Sequence, residues 1–175
     1  ICPSETPEGG SVGLVKNLSI MTYITNQCSE EPILKIIEQM DVTTLVDEIE
    51  DVCEFIDFTK IFVNGDWMFV TKESKKVYED LLHSRRTGLI NIYISISFNT
   101  DMNEINIFTD AGRCCRPLYI VQNNKLVITK KDIRNLEKNH YDFRNLLLKA
   151  LNNSSYSSLE DTRQANKIPC IEYLD

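Results

Sequence analysis

Ile90-Asn91-Ile92-Tyr93-Ile94-Ser95-Ile96-Ser97-Phe98 places an apolar residue at every second position. Side chains of a strand alternate between two faces, so this spacing predicts a half-buried strand with its isoleucines turned inward. Residues 99–103 supply a polar turn, and Ile105 and Ile107 resume the alternation up to Thr109, which predicts a returning strand and hence a hairpin. Upstream, Ile61-Phe62-Val63 and Trp67-Met68-Phe69-Val70 flank Asn64-Gly65-Asp66. Asn-Gly between apolar runs is the strongest short hairpin signal, because the favoured two-residue turn needs positive φ at both central residues. Downstream, Leu118 to Val121 and Leu126 to Ile128 bracket Asn123-Asn124 and predict a third hairpin.

Helical spacing fills the gaps between these hairpins. Ile33, Ile36, Ile37 and Met40 recur at helical intervals behind Pro32, with Ser29 and the acids Glu30 and Glu31 ahead. A second helix is expected from about Glu73 to Arg86, with Val77, Leu81 and Leu82 on one side, Gly88 to stop it, and His83, Arg85 and Arg86 near its negative end. Thr129 reads as the cap of a third helix holding Ile133 and Leu136, and a fourth is expected over 141–151. The segment 41–57 carries Asp41, Asp47, Glu48, Glu50, Asp51 and Glu54 and reads as a solvated excursion; 152–158 is a polar, Ser-rich linker. Strands and helices come in mixed order without βα alternation. The expected class is therefore α+β, with antiparallel β-hairpins forming a mixed-order sheet packed with several helices.

Composition limits what such a fold can do. The 175 residues suit one ordinary domain, or one domain with appendages, and 42% hydrophobic residues are ample for a core. Lys plus Arg number 19 against 26 Asp plus Glu, a net charge of −7, so binding to nucleic acid through phosphate neutralisation over the whole surface is not expected. No apolar run approaches the roughly 18 residues of a membrane span, and no basic-then-apolar leader opens the chain. It reads as soluble and unsecreted. The start at Ile1, directly in a motif, suggests an excised segment or a processed product. Cys2, Cys28, Cys53, Cys114, Cys115 and Cys170 are scattered without a CxxC pair, with His83 and His140 as the available imidazoles, which argues against zinc and against a disulfide framework.

Residues able to carry chemistry are few. There is no P-loop, GxSxG or GxGxxG. Glu5 and Glu8, three apart in a loop constrained by Pro3, Pro7, Gly9, Gly10 and Gly13, are either paired carboxylates or local caps of backbone amides. Thr6-Pro7-Glu8 has the form of a helix start that the glycines would stop within a turn. Lys16 and Asn17 could reach a phosphate. Arg113 and Arg116 flank a Cys pair after a strand, where one of them is expected to pair with Asp110.

The run Ile1-Cys2-Pro3-Ser4-Glu5-Thr6-Pro7-Glu8-Gly9-Gly10-Ser11-Val12-Gly13-Leu14-Val15-Lys16-Asn17-Leu18 resembles the CPxETPEGxxxGLVKNL signature of second-largest subunits of multi-subunit, DNA-directed RNA polymerases. Phe62-Val63-Asn64-Gly65-Asp66-Trp67 resembles that family's FVNGxW hairpin. Ile107-Phe108-Thr109-Asp110-Ala111-Gly112-Arg113-Cys114-Cys115-Arg116-Pro117-Leu118-Tyr119 resembles its IFTDAGRxxRPLF block, and Arg85-Arg86-Thr87-Gly88 a short basic helix end. Gly13-Leu14-Val15-Lys16-Asn17-Leu18 places the resemblance on the eukaryotic, archaeal and viral side, and Ser4 with Gly10-Ser11-Val12 looks closest to large DNA viruses.

The resemblance implies a layout: residues 1–24 close a fork region at the active-centre cleft, 25–121 form an external α+β domain, 122–139 a connecting hairpin and helix, and 140–175 the truncated start of a second external domain. It implies an active-centre wall through Glu5, Glu8, Gly9, Gly10, Lys16 and Asn17, and a structural motif through Asn64, Gly65, Asp110, Gly112, Arg113 and Arg116. No catalytic residue and no cofactor falls to this chain; the Mg²⁺ of the whole nucleotidyltransferase, which transcribes DNA into RNA, would be bound elsewhere. Partners would be the other polymerase subunits, chiefly the largest, with template DNA and RNA met through the whole enzyme and no membrane involved. The place would be intracellular: the nucleus for a cellular eukaryote, the host cytoplasm or virion for a virus. Two rival readings are a stand-alone protein-interaction module and a nucleic-acid-binding module using Lys16, Arg85, Arg86, Arg113 and Arg116.

Overall fold

The computed structural model describes residues 1–40, 42–44, 58–138, 142, 146–147 and 169–175. In order, the elements are β1 (Tyr23–Ile24), α1 (Glu31–Glu38), β2 (Thr43–Thr44), β3 (Thr59–Val63), β4 (Asp66–Thr71), α2 (Ser74–Thr87), β5 (Ser95–Asn99), β6 (Glu104–Phe108), β7 (Cys114–Tyr119), β8 (Val121–Gln122), β9 (Lys125–Leu126), α3 (Lys130–Glu137) and β10 (Ile171–Leu174). They confirm the α+β class.

The main sheet has the order β2-β4-β3-β6-β5. Two of the expected hairpins build it. Asn64 (φ 53°) and Gly65 (φ 93°) make the turn between β3 and β4, both in the left-handed region as an Asn-Gly turn requires. The β5–β6 hairpin pairs Ile96 with Ile107 and Phe98 with Ile105. What joins the two hairpins is a parallel pair, β3 on β6, with Ile61 opposite Ile105 and Val63 opposite Ile107. Local pattern could not show this joint, since its partners lie more than forty positions apart in the sequence. The inward residues of β3, β5 and β6 pack with Ile33, Ile36 and Ile37 of α1 and with Val77 and Leu81 of α2 into one core.

The alternation over 90–98 was half strand and half not. β5 begins only at Ser95. Ile90 and Ile94 are buried all the same, but from a loop: Asn91 Oδ1 accepts from the Tyr93 amide at 2.9 Å, and the Ile94 amide donates to the Asn91 carbonyl at 3.2 Å. The chain has just left α2 through Gly88, a left-handed C-cap, and needs this turn to reach the sheet. Helix α3 starts where expected, under a reciprocal capping box of Thr129 and Asp132. The third hairpin is shorter than expected: β8 and β9 flank Asn123 and Asn124, both at positive φ, while Leu118 and Tyr119 belong to β7.

A second, three-stranded sheet has the order β1-β7-β10. β1 pairs with Cys114 and Cys115, and β10 with Arg116 to Tyr119, so strands from near both ends of the chain meet on β7. Beneath β10, Leu146, Cys170 and Ile171 form a small cluster with Val127, Ile128 and Leu136. The helix expected over 141–151 and the acidic excursion over 41–57 fall largely outside the described residues, as do Cys53 and His140.

Candidate functional site

Three constellations contain the residues that the sequence singles out. The first is the loop from Cys2 to Asn17. The Cys2 amide donates to the Asn17 carbonyl at 2.7 Å and Asn17 Nδ2 to the Glu5 carbonyl at 3.3 Å, which closes the loop at its base. Halfway out, the Gly13 amide donates to Thr6 Oγ1 at 3.0 Å, and the Val12 amide to the Gly9 carbonyl. Thr6 therefore braces the loop rather than capping a helix, and no helix forms there. Glu5, Glu8, Gly9, Gly10 and Lys16 are all exposed, and so are Val12, Leu14, Val15 and Leu18, with Leu14 78% accessible. The loop presents side chains outward and keeps its order through its own backbone.

The second constellation is the turn from Asp110 to Arg113 between β6 and β7. Gly112 adopts φ 82°. Buried Thr25, next to β1, is its centre: Thr25 Oγ1 donates to the Asp110 carbonyl at 3.0 Å and accepts from the Arg113 amide at 3.1 Å, while the Gly112 amide donates to the Thr25 carbonyl at 2.8 Å. The Arg113 guanidinium reaches the Asp110 carbonyl, the Tyr93 carbonyl at 2.7 Å and the Asp175 carboxylate at 2.6 Å. The expected carboxylate partner, Asp110, is thus replaced by Asp175; Asp110 contributes its backbone oxygen. At the start of this motif, Asn64 Oδ1 accepts from the Thr109 amide at 2.8 Å, and Asn64 Nδ2 donates to Thr109 Oγ1 and to Glu30.

The third was not foreseen from the sequence. Glu172 of β10 takes both arginines at the end of α2: Arg85 Nη2 at 2.8 Å, Arg86 Nη2 at 2.8 Å and Arg86 Nε at 3.1 Å. Arg85 is 2% exposed and also donates to the Ile94 carbonyl. Burial alone would raise the Glu172 carboxyl pKa, but the hydrogen bonds and charges of Arg86 and Arg85 outweigh it and hold the group below the ordinary carboxylate range. Pro169 ahead of the alternating Ile171-Glu172-Tyr173-Leu174 was a usable strand signal, but nothing local tied Glu172 to residues some 86 positions away.

These contacts decide what the basic residues can do. Arg85 and Arg86 are consumed by Glu172 of β10 and Arg113 by Asp175 just after it, whereas Lys16 and Arg116 are exposed and have no ion pair among the described residues. Arg116 lies on a groove of about 350 Å³ lined by Met21, Pro117, Leu118, Tyr119 and Ile171. Among the described residues, no activated nucleophile emerges. Burial, then the charge of Asp175, pushes the Cys115 thiol up. Tyr93, stacked on Tyr23 at 4.5 Å, is pushed up to about 12 by burial first and then by the neighbouring tyrosines Tyr23 and Tyr173. Among the described residues, no group of three or more His, Cys, Asp or Glu side chains is placed to hold a metal.

The described residues form an α+β unit that carries a motif-bearing loop at Cys2–Asn17. Two family models match in order along the chain: RNA polymerase Rpb2, domain 3, over residues 1–24, and RNA polymerase Rpb2, domain 4, over residues 61–122. The DNA-directed RNA polymerase II subunit RPB2 of Encephalitozoon cuniculi is 41% identical over 147 residues, 84% of this chain and 13% of that protein. Subunit 2 of the same enzyme in Arabidopsis thaliana is 39% identical over 140 residues, 79% of this chain and 11% of that protein. The DNA-directed RNA polymerase subunit Rpo2 of Sulfolobus acidocaldarius is 31% identical over 156 residues, 84% of this chain and 14% of that protein. The chain belongs to the family of second-largest RNA polymerase subunits, and it spans 11–14% of the length of these relatives.

Proposed function

We propose that this chain serves a DNA-directed RNA polymerase as an external structural region that mounts the loop Cys2–Asn17 as a short wall segment of the active centre. The observation that carries the reading is the β1–β7 pairing with its Thr25 knot. It pairs the end of the stretch matching domain 3 with the stretch matching domain 4, so the loop joins the α+β unit through a paired strand. Glu5, Glu8, Lys16 and Asn17 would then act by position and charge on substrate or on neighbouring polymerase elements. Chemistry would come from Mg²⁺ held by other parts of the enzyme, chiefly in the largest subunit. The layout 1–24, 25–121, 122–139 and 140–175 described above is the proposed division, and Ser4 with Gly10-Ser11-Val12 favours a large DNA virus as the source.

The nucleic-acid-binding reading loses three of its five cations to internal ion pairs. In the assembled polymerase, Lys16→Ala and Glu8→Gln are expected to slow nucleotide addition by about 10-fold, the scale of one lost interaction of about 1.4 kcal/mol in the transition state, without loss of subunit assembly. Unchanged elongation in a correctly assembled variant would remove the wall segment from the reading and leave the structural region standing.

A further inference from the structure

Among the described residues, the joint between Arg85, Arg86 and Glu172 leaves Arg85 Nε without a partner, in a side chain that is 2% exposed. The Nε–H of an arginine lies on the same edge of the guanidinium plane as one of its terminal amino groups, and the two point in nearly parallel directions. In a lone Arg–Glu pair, both would meet the two carboxylate oxygens. Here Arg85 Nη2 takes Glu172 Oε2, but Arg86 takes Oε1 from its other side and shares Oε2 as well, so Arg85 is denied the second half of the fork. A buried N–H left in this way carries the full desolvation cost of the group.

Next to the joint is a small, partly open cavity of about 10 Å³ lined by Arg85, Arg86, Ile92, Leu147, Pro169, Ile171 and Glu172. We propose that this cavity is a binding site for a single internal water molecule, which accepts a hydrogen bond from Arg85 Nε and donates one to the Glu172 carboxylate. Three features select this ligand. The volume is that of about one water. Arg85 Nε supplies a donor, and Glu172 Oε1, with one hydrogen bond already accepted, keeps room for another. The two guanidiniums repel a cation, and the carboxylate at the same wall disfavours an anion, so the site suits a neutral molecule that both donates and accepts. Bridging water of this kind completes a polar network that direct contacts cannot close. The strand β10 would then be held to α2 by two arginines, one carboxylate and one water acting as a unit.

The test is a crystal structure of the polymerase carrying this chain, at a resolution that shows ordered water, with a parallel set of crystals soaked in bromide. The expected result is a single peak within hydrogen-bond distance of both Arg85 Nε and Glu172, without anomalous signal after the soak. A bromide signal at that position would make the site an anion site and overturn the assignment. An empty cavity, or Arg85 Nε bonded directly to a protein acceptor, would overturn it as well.

Discussion

The loop from Cys2 to Asn17 and the turn from Asp110 to Arg113 both match the family's motifs closely, yet they spend their residues in opposite ways. The turn is a knot: its amides, its carbonyl and its arginine are all engaged by Thr25, Tyr93 and Asp175. Among the described residues, the loop bonds to its own backbone and through the side chains of Thr6 and Asn17, and exposes Leu14, Val15 and Lys16. A conserved-looking string of residues therefore says nothing by itself about where its interactions go. Accounting for hydrogen bonds does, because buried polar groups must be paired and exposed ones need not be.

The comparison breaks most visibly at Glu172. Glu172→Ala leaves two guanidiniums, one of them fully buried, without their carboxylate and is expected to cost about 3–5 kcal/mol in denaturant unfolding of the chain. A loss under about 1 kcal/mol would show that the joint is solvated rather than structural. Because the folded pKa of Glu172 lies below its ordinary value of 4.5, its contribution is fully present above pH 4.5 and fades as pH falls through the folded pKa. Glu172→Gln should flatten that acid limb of the stability curve, and an unchanged limb would assign it to other carboxylates.

A smaller effect is expected in the knot. Thr25→Val keeps the shape but orphans the Arg113 amide and removes one of the two donors to the Asp110 carbonyl, at about 2 kcal/mol. At Gly112, a Cβ would meet nothing within 4 Å, so the cost of substitution is that of backbone conformation alone. Gly112→Val should cost about 1 kcal/mol or more, while Gly112→Asn should be nearly neutral, since asparagine already occupies positive φ at 64, 103, 123 and 124. Equal melting temperatures for the Val and Asn variants would refute the backbone argument. Smallest of all, Leu14→Ser and Ile20→Ser should change the stability of the chain by less than about 0.5 kcal/mol, as both side chains are exposed. If either substitution unfolds the chain, the stretch ahead of β1 is less independent of the core than its contacts indicate.

Much of the fold was legible where local chemistry decides conformation. Asn64-Gly65 fixed a turn and Gly88 a helix end, each through a backbone geometry that few residues tolerate, and Thr129 a helix start through its side-chain cap. The alternation over 90–98 misled because isoleucines packed from a turn leave the same imprint on the sequence as isoleucines on a strand; Asn91, which bonds the Tyr93 amide, was the counter-signal. Of the site, the motif residues were legible as a set but not their partners. Thr25, Glu172 and Asp175 act on residues more than sixty positions distant, and no periodicity spans that interval.

The parallel joint between β3 and β6 has a consequence for how the chain reaches its native state. Each hairpin can close within microseconds from local contacts, but the seam between them must bring Lys60 beside Glu104 across the intervening α2, and non-local pairing of this kind is slow. A one-residue slip along the seam would turn Ile105 and Ile107 away from Ile61 and Val63 and toward water. The rate-limiting event in folding, and the point at which nascent chains are most exposed to aggregation, should therefore be the closing of this seam, after both hairpins have formed.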